Sequence, residues 1–190
     1  YYAGNLGPNV QMVDRVQDWV NIGPLKFEYF LGVDGISAPL VLLTGLIGMA
    51  AIYASWSITH RLREYFAWLL LLQTAVMGVF TSLDFVLFFI MWELELIPMY
   101  FLIAIWGSGR REYSAMKFLI FTFLGSAFML VGILALFFST GTFDMVAMPD
   151  AVAASSLVVP AGLIFALLFV GFAVKLPVWP VHTWLPDAHT

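Results

Sequence analysis

The sequence contains no cysteine among its 190 residues. This absence excludes disulfides, thiolate metal sites, iron–sulfur ligation and cysteine nucleophiles. Any redox chemistry linked to this protein therefore has to take place on another chain. The sequence also lacks the GxSxG, Walker and dinucleotide-binding motifs, so we do not expect catalysis by this chain alone.

Charged residues are scarce: they make up 11% of the chain, and the net charge is -4. No cluster of Lys and Arg is large enough to indicate binding to nucleic acid. Hydrophobic residues, in contrast, make up 62% of the chain, and the mean hydropathy is +0.95. Soluble domains do not have this balance, so the composition indicates a membrane protein. One bilayer crossing takes roughly 20 residues, which leaves room for about five crossings.

The apolar segments predict five transmembrane helices within a membrane domain at 36–182, at about 36–58, 65–81, 84–107, 113–138 and 157–179. The first begins at "VDGISAP", with Asp34 or Ser37 as the N-cap and Pro39 in the first turn. Asp84 is the expected N-cap of the third. The link between the second and third is so short that these two helices must form an antiparallel hairpin.

Basic residues predict the orientation of these helices. Arg61 and Arg63 lie in one link, and Arg110 and Arg111 lie in the link two crossings later. Because cytoplasmic links carry an excess of Lys and Arg, both links are predicted to be cytoplasmic. Residues 1–35 then form an extracytoplasmic loop and residues 183–190 a cytoplasmic loop. The start without Met and the abrupt end lead us to expect a fragment of a longer chain.

The N-terminal loop contains a short amphipathic run, "VQMVDRVQDWV". Its apolar residues keep helical spacing, at Val10, Val13, Val16 and Val20. We therefore predict a short amphipathic segment at the membrane surface.

Four ionisable side chains fall inside the predicted spans: Glu93, Glu95, Lys117 and Lys175. A charge in the middle of a bilayer costs about 2.5–3.5 kcal/mol on insertion scales, so each such residue must be paired, neutralised, hydrated or functional. Glu93 lies near the centre of its span, too deep to reach the membrane surface. Opposed to a lysine, it is predicted to act as a proton site, because an ammonium group nearby favours its ionised form and burial disfavours it.

Glu95 follows two positions later and points to nearly the opposite side of a regular helix. Pro98 cannot donate to the carbonyl of Leu94, and the freed backbone group could hold water between the two carboxylates. The alternative for both acids is a purely structural role in helix packing.

Lys175 lies beside two prolines in "GFAVKLPVWPVHTW". Pro177 and Pro180 are expected to free the carbonyls of Ala173 and Leu176, and broken helices of this kind mark ion paths in transporters. The alternative is that Lys175 extends to the membrane interface. The same alternative stays open for Lys117, which follows the basic link by about one turn.

The end of the chain carries His182, Asp187 and His189. A metal cluster is a poor interpretation, because two histidines seven positions apart do not form a compact ligand pattern. We expect His182 and His189 to act in a proton relay or to have a structural role.

Four stretches of the sequence resemble one family in the same order: "LGVDGISAPLVLLT", "DFVLFFIMWELELIPMYFLIAIWG", "REYSAMKFLIFTFLGS" and "FAVKLPVWPVHTWLPDAH". They are similar to the antiporter-like subunit 4, also called subunit M or D, of respiratory complex I and its photosynthetic relatives. The resemblance covers nearly everything from Leu31 onward, and "WELELIP" and "HTWLPDAH" are its most specific parts.

The resemblance implies an all-α polytopic membrane protein, a fragment of a bundle of roughly fourteen helices with inverted repeats, each with one broken helix. This chain would match the third to seventh helices. Glu93 matches the glutamate of the fifth helix and Lys175 the lysine of the broken seventh, which the family is thought to use as a gating pair. Lys117 matches a lysine common at the start of the sixth helix. Glu95 is not universal in the family, so its role stays open.

The implied function is that of a membrane-arm subunit of NADH:quinone oxidoreductase that translocates protons coupled to electron transfer to quinone. The alternatives are a cation/proton antiporter subunit of the same superfamily and a passive membrane scaffold. No cofactor is expected on this chain; the complex would use NADH or another electron donor, flavin, iron–sulfur clusters and quinone.

The expected partners are the lipid bilayer and other membrane-arm subunits, including homologous antiporter-like subunits. The expected location is the bacterial inner membrane, with the thylakoid or mitochondrial inner membrane as alternatives.

Overall fold

The structure, a computed structural model, describes residues 10–23 and 25–188. Two strands and eight α-helices lie in this part of the chain. In order, they are β1 (Gln11–Ile22), β2 (Leu25–Val33), α1 (Ser37–Ala54) with a 3-10 turn at Ser55–Ser57, α2 (Leu62–Thr81), α3 (Phe85–Leu94), α4 (Leu96–Trp106), α5 (Arg111–Thr140), α6 (Met148–Ala154), α7 (Ala161–Lys175) and α8 (Trp184–Ala188).

Four helical segments are long and apolar enough to cross a membrane. They are α1 with its 3-10 turn, α2, α3 together with α4, and α5. This mostly helical architecture confirms the predicted fold class. Each segment lies within a few residues of the range predicted for the first four spans.

The bounds predicted for the fifth span are wrong at both ends. Helix α7 covers only Ala161–Lys175, 15 residues, in place of 157–179. Pro160 adopts a non-helical backbone conformation, with φ -53° and ψ 136°, so the helix begins after it. Pro177 has no amide hydrogen to continue the helix, which therefore ends before it.

The prediction of a helical amphipathic run near Val10–Val20 is also wrong, because these residues belong to a β-hairpin. Strand β1 pairs antiparallel with β2, and Val16 faces Tyr29 in the register. Trp19 packs edge-on against Tyr29, with ring centroids 5.7 Å apart. The β-branched valines and the cross-strand aromatic contact favour a strand, and they outweigh the local helical spacing.

The chain divides into two compact units. The first contains the residues up to Glu95 together with Phe143–Met148, and the second contains Leu96–Thr142 and the residues from 149 onward. The hairpin and α1 to α3 belong to the first unit; α4, α5, α7 and α8 belong to the second.

Arg15 is the centre of an ionic cluster in the first unit. Its Nε donates to Glu28 at 2.5 Å, and its second guanidinium nitrogen donates to Asp144 at 3.1 Å. Its Cζ lies 4.4 Å from the ring centroid of the fully buried Phe30. Burial alone would lower the pKa of Arg15, but its two ion pairs outweigh burial and raise that pKa above its usual value. The cluster therefore fixes the hairpin to the segment that follows α5.

Asp84 caps α3, as the sequence predicts, and is buried. One carboxylate oxygen accepts the amide hydrogens of Val86 at 2.8 Å and Leu87 at 3.0 Å. The other oxygen accepts the amide of Glu28 at 3.3 Å. Burial raises the pKa of Asp84, although these amides act in the opposite direction.

Replacing Asp84 tests its capping role and its charge separately. We expect Asp84→Ala to cost about 1 kcal/mol or more, because two amides of α3 lose their acceptor. Asp84→Asn keeps a capping oxygen and should cost less. Since the pKa of Asp84 is raised in the folded state, its proton-linked contribution is complete below about pH 3.9, the ordinary value for Asp, and is lost as the pH rises through the raised pKa.

The measurement is the thermal unfolding temperature of the purified full-length protein at acidic and at neutral pH. The unfolding temperature of the wild type should rise relative to that of Asp84→Asn as the pH falls. Equal stability of Asp84→Ala and wild type at both pH values would contradict the capping role.

Small residues allow α5 and α7 to pack closely in the second unit. A Cβ atom on Gly125 would lie 2.8 Å from the Cβ of Val174, and one on Gly171 would lie 2.6 Å from the Cβ of Met129. Both distances are too short for a larger residue, so the glycines set the approach of the two helices. In the same unit, a hydrophobic core joins α4, α5 and α8. Its buried members are Leu96, Ile103, Ala115, Phe118 and Trp184.

Candidate functional site

The two predicted acids lie where one membrane-length segment is interrupted. Glu93 is in the last turn of α3 and is half-buried, whereas Glu95 is buried and is the residue at which α3 ends and α4 begins. Both acids belong to the first unit. The segment they interrupt, Phe85–Trp106, has a mean hydropathy of 1.9 and 22 residues. Two carboxylates are thus kept inside a segment long enough to cross the bilayer.

Lys117 is held by an acid that follows the broken helix. Its Nζ donates to Asp187 at 2.6 Å, across 70 positions of sequence. Both residues are in the second unit, and their side chains are 21% and 38% exposed. The sequence left open whether Lys117 extends to the membrane interface. In the structure it forms an ion pair with α8.

Lys175 is the last residue of α7, and the backbone after it departs from helical hydrogen bonding. The amide of Leu176 still donates to Phe172 at 2.8 Å, which is the regular pattern. Pro177 cannot donate to Ala173, and the amide of Val178 donates to Ala173 instead, at 2.9 Å. The expectation that the carbonyl of Ala173 is free is therefore wrong.

Because of this shift by one residue, the carbonyl of Val174 lacks its regular helical donor, which would have been the amide of Val178. The indole Nε1 of Trp184 fills the gap and donates to the carbonyl of Val174 at 2.8 Å. Trp184 is 5% exposed, and its ring packs edge-on against Phe118 with centroids 5.3 Å apart. A buried side chain of α8 thus completes the end of the helix that carries Lys175.

Of the two predicted relay histidines, only His182 lies in the described part of the chain. His182 lies in the turn between α7 and α8, and its Nδ1 is buried without a hydrogen-bond partner among residues 10–23 and 25–188. His189 lies outside the described residues. Within the described part of the chain, no three His, Asp or Glu side chains group as metal ligands.

Sequence reasoning missed the roles of Asp187 and Trp184. Asp187 was considered only as a metal ligand, and Trp184 was not singled out. One signal was available, since two prolines beside Lys175 leave carbonyls that need donors, and an indole N–H nearby can supply one. The pairing of Lys117 with Asp187 had no local signal, because the two residues are brought together only by the packing of α8 on α5.

A family model and individual relatives of known sequence match this chain, and both include quinone oxidoreductases. The model of the family described as "NADH:quinone oxidoreductase/Mrp antiporter, TM" matches residues 82–190. NAD(P)H-quinone oxidoreductase chain 4 1 of Synechococcus sp. (strain JA-3-3Ab) is 48% identical over 96% of this chain. The chloroplastic NAD(P)H-quinone oxidoreductase chain 4 of Chaetosphaeridium globosum is 41% identical over 95%. These matches cover 34% and 36% of the relatives, so this chain spans about a third of their length.

Solved structures agree with the fold. A chain of respiratory complex I from Thermus thermophilus with bound NADH superposes with a TM-score of 0.77 and 26% identity, covering 96% of this chain and 38% of that chain. A chain of the archaeal membrane-bound sulfane sulfur reductase has a TM-score of 0.74 at 24% identity, which is evidence for the fold alone.

Proposed function

Because this chain belongs to the family of membrane subunits shared by NADH:quinone oxidoreductases and Mrp antiporters, we propose that it is part of a proton-translocating subunit of a quinone oxidoreductase complex. The observation that carries the proposal is the break in α7 at Lys175, in a chain that also keeps Glu93 inside an apolar, membrane-length segment. Buried ionisable residues next to broken helices are typical of ion paths.

In this proposal Lys175 receives a proton from the cytoplasmic side, and Glu93 controls how tightly the proton is held. A carboxylate near an amine favours the protonated amine, and separation of the two groups weakens that preference. A change of about 1.4 kcal/mol in their interaction alters the proton affinity tenfold. A modest change in distance, in surroundings of low dielectric constant, is therefore enough to load or release a proton.

Lys117 extends the path within the second unit. Glu95, two positions after Glu93, and His182, seven positions after Lys175, are candidate relay groups. His189 is a further candidate from sequence alone. The energy would come from quinone reduction in neighbouring subunits, which would also hold the flavin and the iron–sulfur clusters. The chain has no cysteine for such clusters.

The experiment compares membrane vesicles from cells that lack this chain with vesicles in which the full-length subunit has been restored. We expect addition of an electron donor and quinone to acidify the vesicle lumen only in the restored vesicles, with no requirement for Na⁺ or K⁺. The restored subunit should also co-purify with partners that show flavin and iron–sulfur spectra.

The family description includes antiporters, so the competing function is exchange of Na⁺ or K⁺ for H⁺ without redox coupling. That function predicts pH changes driven by a cation gradient in the absence of any electron donor. Cation-driven exchange with no response to quinone reduction would contradict the proposed function.

A further inference from the structure

We propose that α8 (Trp184–Ala188) couples Lys117 to Lys175, with Asp187 and Trp184 as positioning residues at its two contacts. The inference rests on the proposed function, because it assigns a role in proton translocation to an element beside the proposed path. The inference is based on two hydrogen bonds made by one five-residue helix. One joins it to the side chain of Lys117, and the other joins it to the backbone beside Lys175.

The first contact is the ion pair that holds α8 against α5. Asp187 accepts from the Lys117 ammonium group at 2.6 Å, and Lys117 lies in the second turn of α5, inside a segment long enough to cross the membrane. A groove of about 360 Å³ lies against Lys117 and is lined by Tyr113, Met116, Ile120 and Phe121. Lys117 therefore lines this groove and is also paired with Asp187. Loss of the proton from Lys117 would remove the attraction that holds α8 in place.

The second contact fixes the end of α7. Pro177 displaces the amide of Val178 to Ala173, so the carbonyl of Val174 depends on the indole of Trp184. This carbonyl belongs to the residue directly before Lys175. If the indole withdraws, a buried carbonyl loses its donor, which is unfavourable unless water or a shift of the backbone replaces it.

The two contacts cannot change independently, because they are three residues apart on a helix of little more than one turn. Trp184 also packs against Phe118, the neighbour of Lys117 in sequence. A change in the charge of Lys117 therefore moves the donor that completes the α7 end, and a movement of α7 at Lys175 strains the ion pair. This reciprocity is the coupling that we infer.

The test measures protons translocated per electron in the assembled complex in proteoliposomes. Asp187→Asn and Trp184→Phe should each lower by about threefold the part of this ratio that depends on Lys175, because each variant loses one partly exposed ion pair or one buried donor. The phenylalanine keeps an aromatic ring against Phe118 and cannot donate to Val174, although its ring is smaller than the indole. Asp187→Glu, which keeps a carboxylate beside Lys117, should retain most of the wild-type ratio. The exposed pair Arg61–Glu64 provides the control, and Glu64→Gln should have no effect.

An unchanged ratio in Asp187→Asn or in Trp184→Phe would overturn the coupling. So would a ratio in Asp187→Glu that is as low as in Asp187→Asn. These failures are distinct from failure of the proposed function, because they leave quinone-dependent acidification by the wild-type complex intact. The ratio is measured per assembled complex, so a role in folding alone would lower the yield of complex and leave the ratio unchanged.

Discussion

Lys175→Arg is expected to remove the share of proton translocation that this chain contributes, while the complex still assembles and transfers electrons. Arginine keeps the positive charge and much of the length of lysine, so any structural ion pair survives. Its pKa, however, is about 2–3 units above that of lysine, so release of the proton becomes roughly a hundredfold or more less favourable. The substitution therefore separates a charge that must be present from a proton that must leave.

The measurement is the proton-to-electron ratio of the purified complex in sealed proteoliposomes. Lys26→Arg, at an exposed position of strand β2, serves as the matched control and should translocate at the wild-type ratio. If the buried charges only fixed helix packing, Lys175→Arg would also translocate normally. That outcome would contradict the assignment of Lys175 as a proton carrier.

Glu93→Gln is expected to have an effect of similar size. Glutamine has nearly the same shape as glutamate and keeps an oxygen that accepts hydrogen bonds, but it cannot ionise. Electron transfer should continue and the share of proton translocation that this chain contributes should be lost, because nothing remains to change the proton affinity of the lysine.

Glu112→Gln in the exposed first turn of α5 is the matched control and should behave as wild type. Glu95→Gln, two positions from Glu93, shows whether the second acid, which is buried, belongs to the path. A passive scaffold predicts that Glu93→Gln lowers the amount of assembled complex and leaves proton translocation per assembled complex unchanged. Full translocation by Glu93→Gln would end the proposed mechanism.

Long apolar segments were the most predictable part of the fold. Four membrane-length segments could be located to within a few residues, because length and hydropathy alone mark them. The N-terminal hairpin could not be predicted in this way. Its first strand has valines at helical spacing, and only pairing with Leu25–Val33 makes it a strand. Pairing with a second strand thus determined the secondary structure of a segment whose local pattern favoured a helix.

The candidate site was predictable where a residue was unusual for its surroundings. Glu93 and Lys175 stand out because charges are costly inside apolar segments. The Lys117–Asp187 pair and the Trp184 donor join residues 70 and 10 positions apart, and no local rule links them. The error about the carbonyl of Ala173 has the same origin. A rule for one proline identifies a missing donor, but the neighbouring amide of Val178 could shift to replace it.

The most direct test of the central claim, that the carboxyl group of Glu93 is ionised near Lys175 and protonated when the two separate, is a redox-induced infrared difference spectrum of the complex. We predict a change in the carbonyl stretch of a protonated carboxylic acid that is present in wild type and in Glu112→Gln and absent in Glu93→Gln. Identical carboxylic-acid bands in wild type and Glu93→Gln would contradict the account.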